Sequence, residues 1–286
     1  MLHSYKPEEG FLCFKSKPVV FIGDSVTRLL FFQMVHMLDP TIPTAPREGL
    51  QHSDHTFRTK HGTPISFFWD PYLNASHTYD MVGSTKNGTS LERDDDVQRP
   101  GLLVLGSGLW YLRYSDLSSW EANMEHILNS LARNHAKPAH EVVILPVEQV
   151  VSSKLSHERA MSIRSSDIDA MNSDLFHRIN PPLTDVFSIF SRPIPPIPVA
   201  LPRVFNEMID ASQTEDGLHF SDAVVKLQTA VLLNQRCNDV LPKKFPFDKT
   251  CCNRYPWPSP LQLVILIAAV LWGPITYVGL YQRGKS

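Results

Sequence analysis

Two short motifs contain residues that could carry out nucleophilic catalysis. Gly23-Asp24-Ser25 follows an apolar run and precedes a segment with helical spacing, so we expect Ser25 at the N-terminus of a helix. Asp216 and His219 lie in one loop just before the last helical pattern. A serine nucleophile needs a base that takes its proton and a carboxylate that orients the base. The two motifs together therefore predict a site made of Ser25, His219 and Asp216.

Each motif also has a structural interpretation, which stays open when the motif is considered alone. Serine is a common helix N-cap, and Asp24 fits a turn and capping residue better than a chemical participant. An Asp-x-x-His loop by itself is more often structural than catalytic. If Ser25 begins a helix, the unpaired backbone N–H groups there, including its own, could stabilise an oxyanion.

Strand and helix patterns alternate along the part of the chain that carries these motifs. Apolar runs predict buried strands at residues 18–23, 65–69, 102–105 and 142–145, and helical spacing predicts helices at 25–38, 117–135, 159–179 and 222–236. Strands separated by helices form a mostly parallel sheet that is covered on both faces. The predicted fold class is therefore α/β, a three-layer sandwich that binds its ligand at the carboxyl ends of the strands.

Composition and charge limit the classes of protein that need consideration. With 27 Lys+Arg against 29 Asp+Glu, the chain has no basic excess for nucleic acid, and 43% hydrophobic residues exclude global disorder. Residues 261–281 carry no charge and are long enough to span a hydrocarbon layer of about 30 Å as a helix. A buried core helix is the alternative, because Pro274 interrupts the run. We expect a domain at 1–250, a Cys/Pro-rich stalk at 251–260, a transmembrane helix at 261–281 and a tail at 282–286.

Three histidines close together in the sequence could be metal ligands. His52, His55 and His61 lie in one polar stretch, but no Cys or carboxylate spacing supports a closed site. The chain has 12 histidines, which makes such proximity common. We therefore interpret the stretch as a solvated loop and expect no metal.

Longer stretches around the two motifs resemble a known family. The segments that carry the resemblance are Phe21-Ile-Gly-Asp-Ser-Val-Thr-Arg28, Phe67-Phe-Trp-Asp-Pro71, Val104-Leu-Gly-Ser-Gly-Leu-Trp110, Glu215-Asp-Gly-Leu-His219, and the cysteines Cys237, Cys251 and Cys252. They are similar to the SGNH (GDSL-type) esterases and acyltransferases, and in particular to the lumenal PC-esterase-type domain of the Cas family. That family contains fungal capsule polysaccharide and animal sialate O-acetyltransferases. The resemblance covers residues 2–280.

The resemblance implies a role for each residue of the predicted site. Ser25 would be the nucleophile, His219 the general base and acid, and Asp216 the orienting carboxylate. The backbone N–H groups of Ser25 and Gly106 would form the oxyanion hole. Many SGNH enzymes add an Asn side chain from a Gly-x-Asn-Asp block, whereas this chain reads Gly106-Ser-Gly108, so the third donor is unidentified.

Two further residues are candidates for contact with substrate. Arg28 lies one turn into the helix that Ser25 begins, and Trp110 follows the strand that ends at Gly106. The structural alternatives are a solvated charge for Arg28 and a core aromatic for Trp110.

The family resemblance also implies an activity, its substrates and its partners. The expected activity is glycan O-acetyl transfer through a serine acyl-enzyme, and the alternatives are a carbohydrate O-acetylesterase and a non-catalytic glycan-binding accessory subunit. No bound cofactor is implied, and the acetyl donor would be acetyl-CoA or an acetyl group delivered through the membrane. The implied partners are a glycan or polysaccharide acceptor, the membrane and a multi-pass protein that supplies acetyl groups.

Glycosylation motifs and cysteines indicate on which side of the membrane the domain lies. The acceptor sequons at Asn74 and Asn87 favour the lumen of the secretory pathway, as does an even number of candidate disulfide cysteines, namely Cys13, Cys237, Cys251 and Cys252. Basic residues flank residues 261–281 on both sides, so the positive-inside rule does not decide. We expect a single-pass Golgi or secretory-pathway protein with a lumenal domain. The alternative is a tail-anchored protein with a cytosolic domain.

Overall fold

The centre of the domain is a five-stranded sheet. The computed structural model describes residues 2–83, 99–133, 138–180, 197 and 199–241. Its strands are β1 (Val19–Gly23), β2 (His55–Arg58), β3 (Pro64–Trp69), β4 (Leu102–Gly106) and β5 (Val142–Ile144). Their order in the sheet is β2-β3-β1-β4-β5, and all neighbours run parallel except β2 and β3. Gly23 pairs with Trp69 on one side and with Gly106 on the other, so three strands end at one edge.

Helices cover both faces of this sheet. They are α1 (Pro7–Phe14), α2 (Ser25–Leu38), α3 (Ser76–Val82), α4 (Leu109–Tyr114), α5 (Leu117–Arg133), α6 (His157–Ser162), α7 (Ser165–Ile179) and α8 (Asp222–Cys237). Alternate residues of β1 face opposite sides, as the pleat of a strand requires. Val20 and Ile22 belong to the core with α5 and α7, whereas Val19 and Phe21 belong to the core with α1, α2 and α8.

The predicted α/β fold with a mostly parallel sheet is confirmed, and so are its four predicted strands. The solvated loop expected around His55 is wrong, because this residue begins β2. The side chains of His55 and Phe57 stack on Phe31, while Thr56 and Arg58 are exposed. The single helix expected at 159–179 is also wrong. Extended backbone at Ile163, which is buried, divides it into α6 and α7.

The cysteines expected to form disulfides are partly described. Cys13 in α1 is bonded to Cys237 at the end of α8, and both are buried. The segment before α1 also contacts the C-terminal end of α8, because the Tyr5 hydroxyl donates to Oδ1 of Asn238, the residue after this helix, at 2.7 Å. The disulfide therefore joins α1 to α8 covalently. Cys251 and Cys252 lie outside the described residues.

The expected transmembrane helix is not among the elements that the structure describes. Within the ranges that the structure describes, no helix combines the length and the apolar character that crossing a membrane requires. The stalk at 251–260 and the span at 261–281 lie outside those ranges.

Candidate active site

Ser25 is the first residue of α2, and only Asp24 separates it from the end of β1. The Asp24 carboxylate caps this helix by accepting hydrogen bonds from the backbone N–H groups of Val26 at 3.0 Å and Thr27 at 3.3 Å. The interpretation of Asp24 as a capping residue agrees with this geometry. Gly23 must lack a side chain, because a Cβ there would collide with the carbonyl oxygen of Gly106. The turn from β1 into α2 therefore fixes the position of the Ser25 hydroxyl.

The structure brings the three residues of the predicted site together. The Ser25 hydroxyl oxygen lies 2.8 Å from Nε2 of His219. On the other side of the ring, Nδ1 lies 2.9 Å from Oδ2 of Asp216. A carboxylate can only accept, so the ring carries its proton on Nδ1 and presents an unprotonated Nε2 to the serine. Ser25, His219 and Asp216 thus form one hydrogen-bonded chain in the order that proton transfer from the serine requires.

Two hydrogen bonds and a glycine fix the shape of the loop that holds Asp216 and His219. Oδ1 of Asp216 accepts hydrogen bonds from the backbone N–H groups of Leu218 at 2.9 Å and His219 at 2.8 Å. Gly217 has a φ of +77°, and a Cβ there would lie 2.7 Å from the carbonyl oxygen of Val151. The loop requires glycine at this position because of both the left-handed backbone and the close approach.

The surroundings of Asp216 keep it ionised. Burial alone would raise its pKa, but hydrogen bonds from the backbone of His219 and Leu218 and from the His219 ring outweigh that effect. The pKa of Asp216 is therefore held well below its usual range. A guanidinium nitrogen of Arg159, in α6, also lies 2.9 Å from Oδ2. An ionised Asp216 holds the imidazole in place and favours its protonated form during reaction.

Two buried carboxyl groups lie beneath the Ser25 turn, and one of them was not anticipated. Asp24 and Glu148 both line a cavity of about 10 Å³. Burial raises the pKa of Asp24 to about 6, against the lowering effect of hydrogen bonds from Thr27 and Val26. Burial also raises the pKa of Glu148 to about 8, although its carboxyl accepts a hydrogen bond from Gln228 at 3.0 Å. A single acid within the apolar run after β5 was the signal that could have identified Glu148.

The expected oxyanion donors lie at the same edge of the sheet. Gly106 ends β4 beside Gly23, and its carbonyl oxygen accepts the Thr27 hydroxyl at 3.3 Å. A Cβ on Gly106 would collide with that hydroxyl, so this position also needs glycine. The next residue, Ser107, donates its hydroxyl to the carbonyl oxygen of Pro71 at 2.6 Å. That hydroxyl proton is engaged within the fold.

Both candidates for substrate contact are half-buried, which lies between full exposure and full burial. The guanidinium of Arg28 is half-buried and lies 5.7 Å from the ring centroid of Trp69. Burial lowers the pKa of Arg28, partly offset by the charge of Asp24. Trp110 is half-buried, and its ring centroid lies 5.6 Å from that of Trp69. Trp69, which sequence reasoning did not select, therefore contacts both candidates.

The remaining candidates are not part of the hydrogen-bonded chain of Ser25, His219 and Asp216. Asn74 is exposed in the turn before α3, and Asn87 lies outside the described residues. The ring of His52 packs at a tilt against Trp69 with centroids 4.5 Å apart, whereas Nε2 of His61 lies 3.8 Å from a carboxylate oxygen of Glu8. No cluster of three metal-ligating side chains is found in the ranges that the structure covers.

Comparison with known proteins gives a family match and two named relatives. Residues 2–171 match the model of PC-Esterase, described as a GDSL/SGNH-like acyl-esterase family found in Pmr5 and Cas1p. An N-acetylneuraminate (7)9-O-acetyltransferase of Danio rerio is 28% identical over 279 residues, which are 95% of this chain and 31% of that protein. A probable xylan O-acetyltransferase 10 of Oryza sativa subsp. japonica is 24% identical over 150 residues, 50% of this chain and 34% of that protein.

These matches differ in how much of the site they include. The family match contains Ser25, and Asp216 and His219 follow it in the chain. A match over 95% of the chain must also contain the later two residues. The aligned part spans about a third of the length of either relative. Because the family model covers more than half of the sequence, the chain belongs to the PC-Esterase family of GDSL/SGNH-like acyl-esterases.

Proposed function

We propose that this domain transfers acetyl groups to hydroxyl groups of glycans through an acetyl-Ser25 intermediate. The observation that carries the proposal is the 2.8 Å separation of the Ser25 hydroxyl oxygen and His219 Nε2, with Asp216 on the far side of the ring. Membership of an acyl-esterase family supports acyl chemistry. The names of the two relatives, which specify O-acetylation of sialic acid and xylan, support the acetyl group and a sugar acceptor.

The first half of the reaction loads the serine. Ser25 Oγ attacks the carbonyl carbon of the acetyl donor while His219 Nε2 accepts the hydroxyl proton. The negative charge that develops on the carbonyl oxygen would be stabilised by the backbone N–H groups of Ser25 and Gly106. The bond to the donor breaks, His219 returns the proton to the leaving group, and acetyl-Ser25 remains.

The second half passes the acetyl group to the acceptor. A sugar hydroxyl takes the place of the leaving group, and His219 removes its proton as its oxygen attacks the ester carbon. The bond to Ser25 Oγ breaks, and the proton goes back to that oxygen. An acceptor held against the acetyl-enzyme has an effective concentration far above that of a free one, and this is how transfer can exceed hydrolysis.

The donor and the cellular location are part of the proposal. The acetyl group would come from acetyl-CoA or be delivered through the membrane by a multi-pass partner protein. We place the domain in the lumen of the Golgi or secretory pathway, anchored by a helix at 261–281. The Cys13–Cys237 disulfide and the exposure of Asn74 in its sequon support this location, because both are typical of secretory proteins.

Hydrolysis of O-acetyl glycans is the second candidate function. The family description names esterases, and about a third of the His219 side chain is exposed, so water can reach the base. Water would then attack acetyl-Ser25 in place of a sugar hydroxyl, and free acetate would be the product.

Two experiments test the proposal. A fluorophosphonate probe should label the protein, Ser25→Ala should abolish labelling, and Ser107→Ala should serve as a matched control at the same sheet edge. Labelling that persists in Ser25→Ala would place the nucleophile elsewhere.

The second experiment measures acetylated glycan and free acetate with and without a multi-pass acetyl donor protein, with sialic acid and xylan chains as first acceptors. Rapid acetate release that needs no partner and gives no acetylated sugar would identify an esterase.

A further inference from the structure

A row of aromatic side chains leads away from the Ser25 site. It consists of His52, Trp69, Trp110 and Tyr114, here called the aromatic ridge. Ring centroids are 4.5 Å apart for His52 and Trp69, 5.6 Å for Trp69 and Trp110, and 5.0 Å for Trp110 and Tyr114. Tyr114, at the far end, is 54% exposed. His52 at the other end is also exposed, and Trp69 and Trp110 between them are half-buried. A row of large aromatic side chains that remains in contact with solvent suggests a surface that binds a ligand.

The ridge begins at the edge of the sheet where Ser25 lies. Trp69 is the last residue of β3 and pairs with Gly23, two residues before the serine. Arg28, one helical turn after Ser25, has its guanidinium over the Trp69 ring. A molecule whose reacting group is at Ser25 would therefore extend naturally over Trp69 and Trp110.

The ridge ends in an open cleft, here called the tyrosine cleft, of about 620 Å³. Among its lining residues are Tyr72, Asn74, Tyr79, Tyr114, Ser119 and Asn123. Trp110 contacts two of these tyrosines, with ring centroids 6.2 Å from Tyr72 and 5.0 Å from Tyr114. The cleft is therefore continuous with the ridge, and its volume is in the ordinary range of ligand sites.

The walls of the cleft are fixed before any ligand arrives. The Asn123 amide donates to the carbonyl oxygen of Tyr72 at 2.7 Å, and its oxygen accepts the Tyr79 hydroxyl at 3.0 Å. These bonds join α5 to α3 and to the loop after β3. A rigid cleft loses little conformational entropy when it binds.

We propose that the acceptor is an extended glycan: the sugar to be acetylated lies against Trp69 and Trp110, and the neighbouring sugars occupy the tyrosine cleft. This inference rests on the proposed function. A sugar ring presents apolar C–H faces and a rim of hydroxyl groups, which suits aromatic rings bordered by amide and hydroxyl side chains. A single sugar with its hydroxyl at Ser25 would reach the ridge and leave the cleft empty. The cleft thus selects for chain length.

The test compares acceptors of increasing length on the full chain together with its acetyl donor protein. The probes are xylose, xylobiose and xylotetraose, and N-acetylneuraminic acid with its linked dimer and tetramer. We expect kcat/KM to rise from monomer to tetramer in at least one series. Tyr114→Ala should lower the ratio of tetramer to monomer kcat/KM about three- to tenfold, the range expected for one stacked ring. Tyr114→Phe keeps the ring and should restore the ratio, while Leu227→Ala, an exposed residue on α8, is the matched control.

A second measurement separates failure of this inference from failure of the proposed function. Binding of the same probes to Ser25→Ala protein, followed by tryptophan fluorescence, needs no turnover. Tighter binding of tetramers that is lost in the Ser25→Ala/Tyr114→Ala protein supports the cleft even if no acetyl transfer occurs. Equal affinity for monomer and tetramer would overturn the inference while fluorophosphonate labelling of Ser25 still succeeds. Length dependence that appears only in Asn74→Gln protein would also overturn it, because the protein's own glycan would then fill the cleft.

Discussion

Arg159 and His219 donate hydrogen bonds to the same oxygen of Asp216, each at 2.9 Å. The other oxygen of that carboxylate accepts two backbone N–H groups. Four donors from α6 and from the loop before α8 therefore orient one side chain. Asp216 in turn orients the His219 ring, and the ring orients the Ser25 hydroxyl.

The contribution of Arg159 can be measured directly. We expect Arg159→Ala to lower kcat/KM only roughly two- to fivefold, because the ion pair is partly exposed and the backbone donors remain. Arg178→Ala is the matched control, since Arg178 is about as exposed as Arg159, forms ion pairs with Asp174 and Glu125 and does not contact Asp216. A loss in Arg159→Ala no greater than in Arg178→Ala would show that Arg159 does not act on the Asp216 carboxylate.

Glu148 should make the stability of the domain depend on pH. Burial raises its pKa from an ordinary 4.5 to about 8, so the folded state holds a proton that the unfolded state has released. The free energy of unfolding should therefore fall as pH rises through this window and level off above about pH 8.

The variant Glu148→Gln keeps an oxygen for Gln228 and cannot ionise. Its Tm should exceed that of the wild type by a margin that widens from pH 5 to pH 8. Glu207→Gln, at an exposed glutamate, is the control and should show no such divergence. A difference in Tm between Glu148→Gln and the wild type that stays constant from pH 5 to pH 8 would contradict the expectation.

The disulfide between Cys13 and Cys237 should be a large part of the stability of the domain. It closes a loop of 224 residues, and loss of a native disulfide typically costs about 2–5 kcal/mol. Reduction, or the double change Cys13→Ala/Cys237→Ala, should shift urea unfolding to clearly lower concentrations. Adding reductant to the double variant should have no further effect on its midpoint. An unchanged midpoint on reduction of the wild type would mean that the two thiols are not bonded in solution.

Glycosylation tests the location of the domain. If residues 1–250 are lumenal, protein from a secretory host should carry glycan at Asn74, which is exposed in its sequon, or at Asn87. Endoglycosidase treatment should then increase the electrophoretic mobility of the protein, and Asn74→Gln with Asn87→Gln should remove the shift. A domain that is insensitive to the enzyme and has four free thiols would instead be cytosolic.

Local patterns in the sequence were enough to predict the elements that matter most. Residues 18–23 are apolar and end in Gly23. The apolar residues after Ser25 recur with the period of a helix. These features specify the turn at which the serine lies. The Asp216 and His219 loop could likewise be selected because both chemical groups come from one short segment.

What the sequence did not reveal depends on contacts between distant segments. The β2 strand has little β-branched content, and it forms because Phe57 and His55 can pack on Phe31. Arg159 is an ordinary helix arginine until the fold brings Asp216 to it, 57 residues later. The aromatic ridge likewise unites a strand end, a loop and a helix, so no periodicity in the chain could predict it.

The order in which the reacting groups enter the chain also affects biosynthesis. Ser25 lies near the start of the domain, whereas His219, its proposed base, lies just before α8, the last described helix. A nascent chain therefore exposes a serine without a base until translation has passed α8 and the domain closes as a unit. Under the proposed mechanism, acyl transfer can begin only after that point, when Ser25 and His219 are both in place.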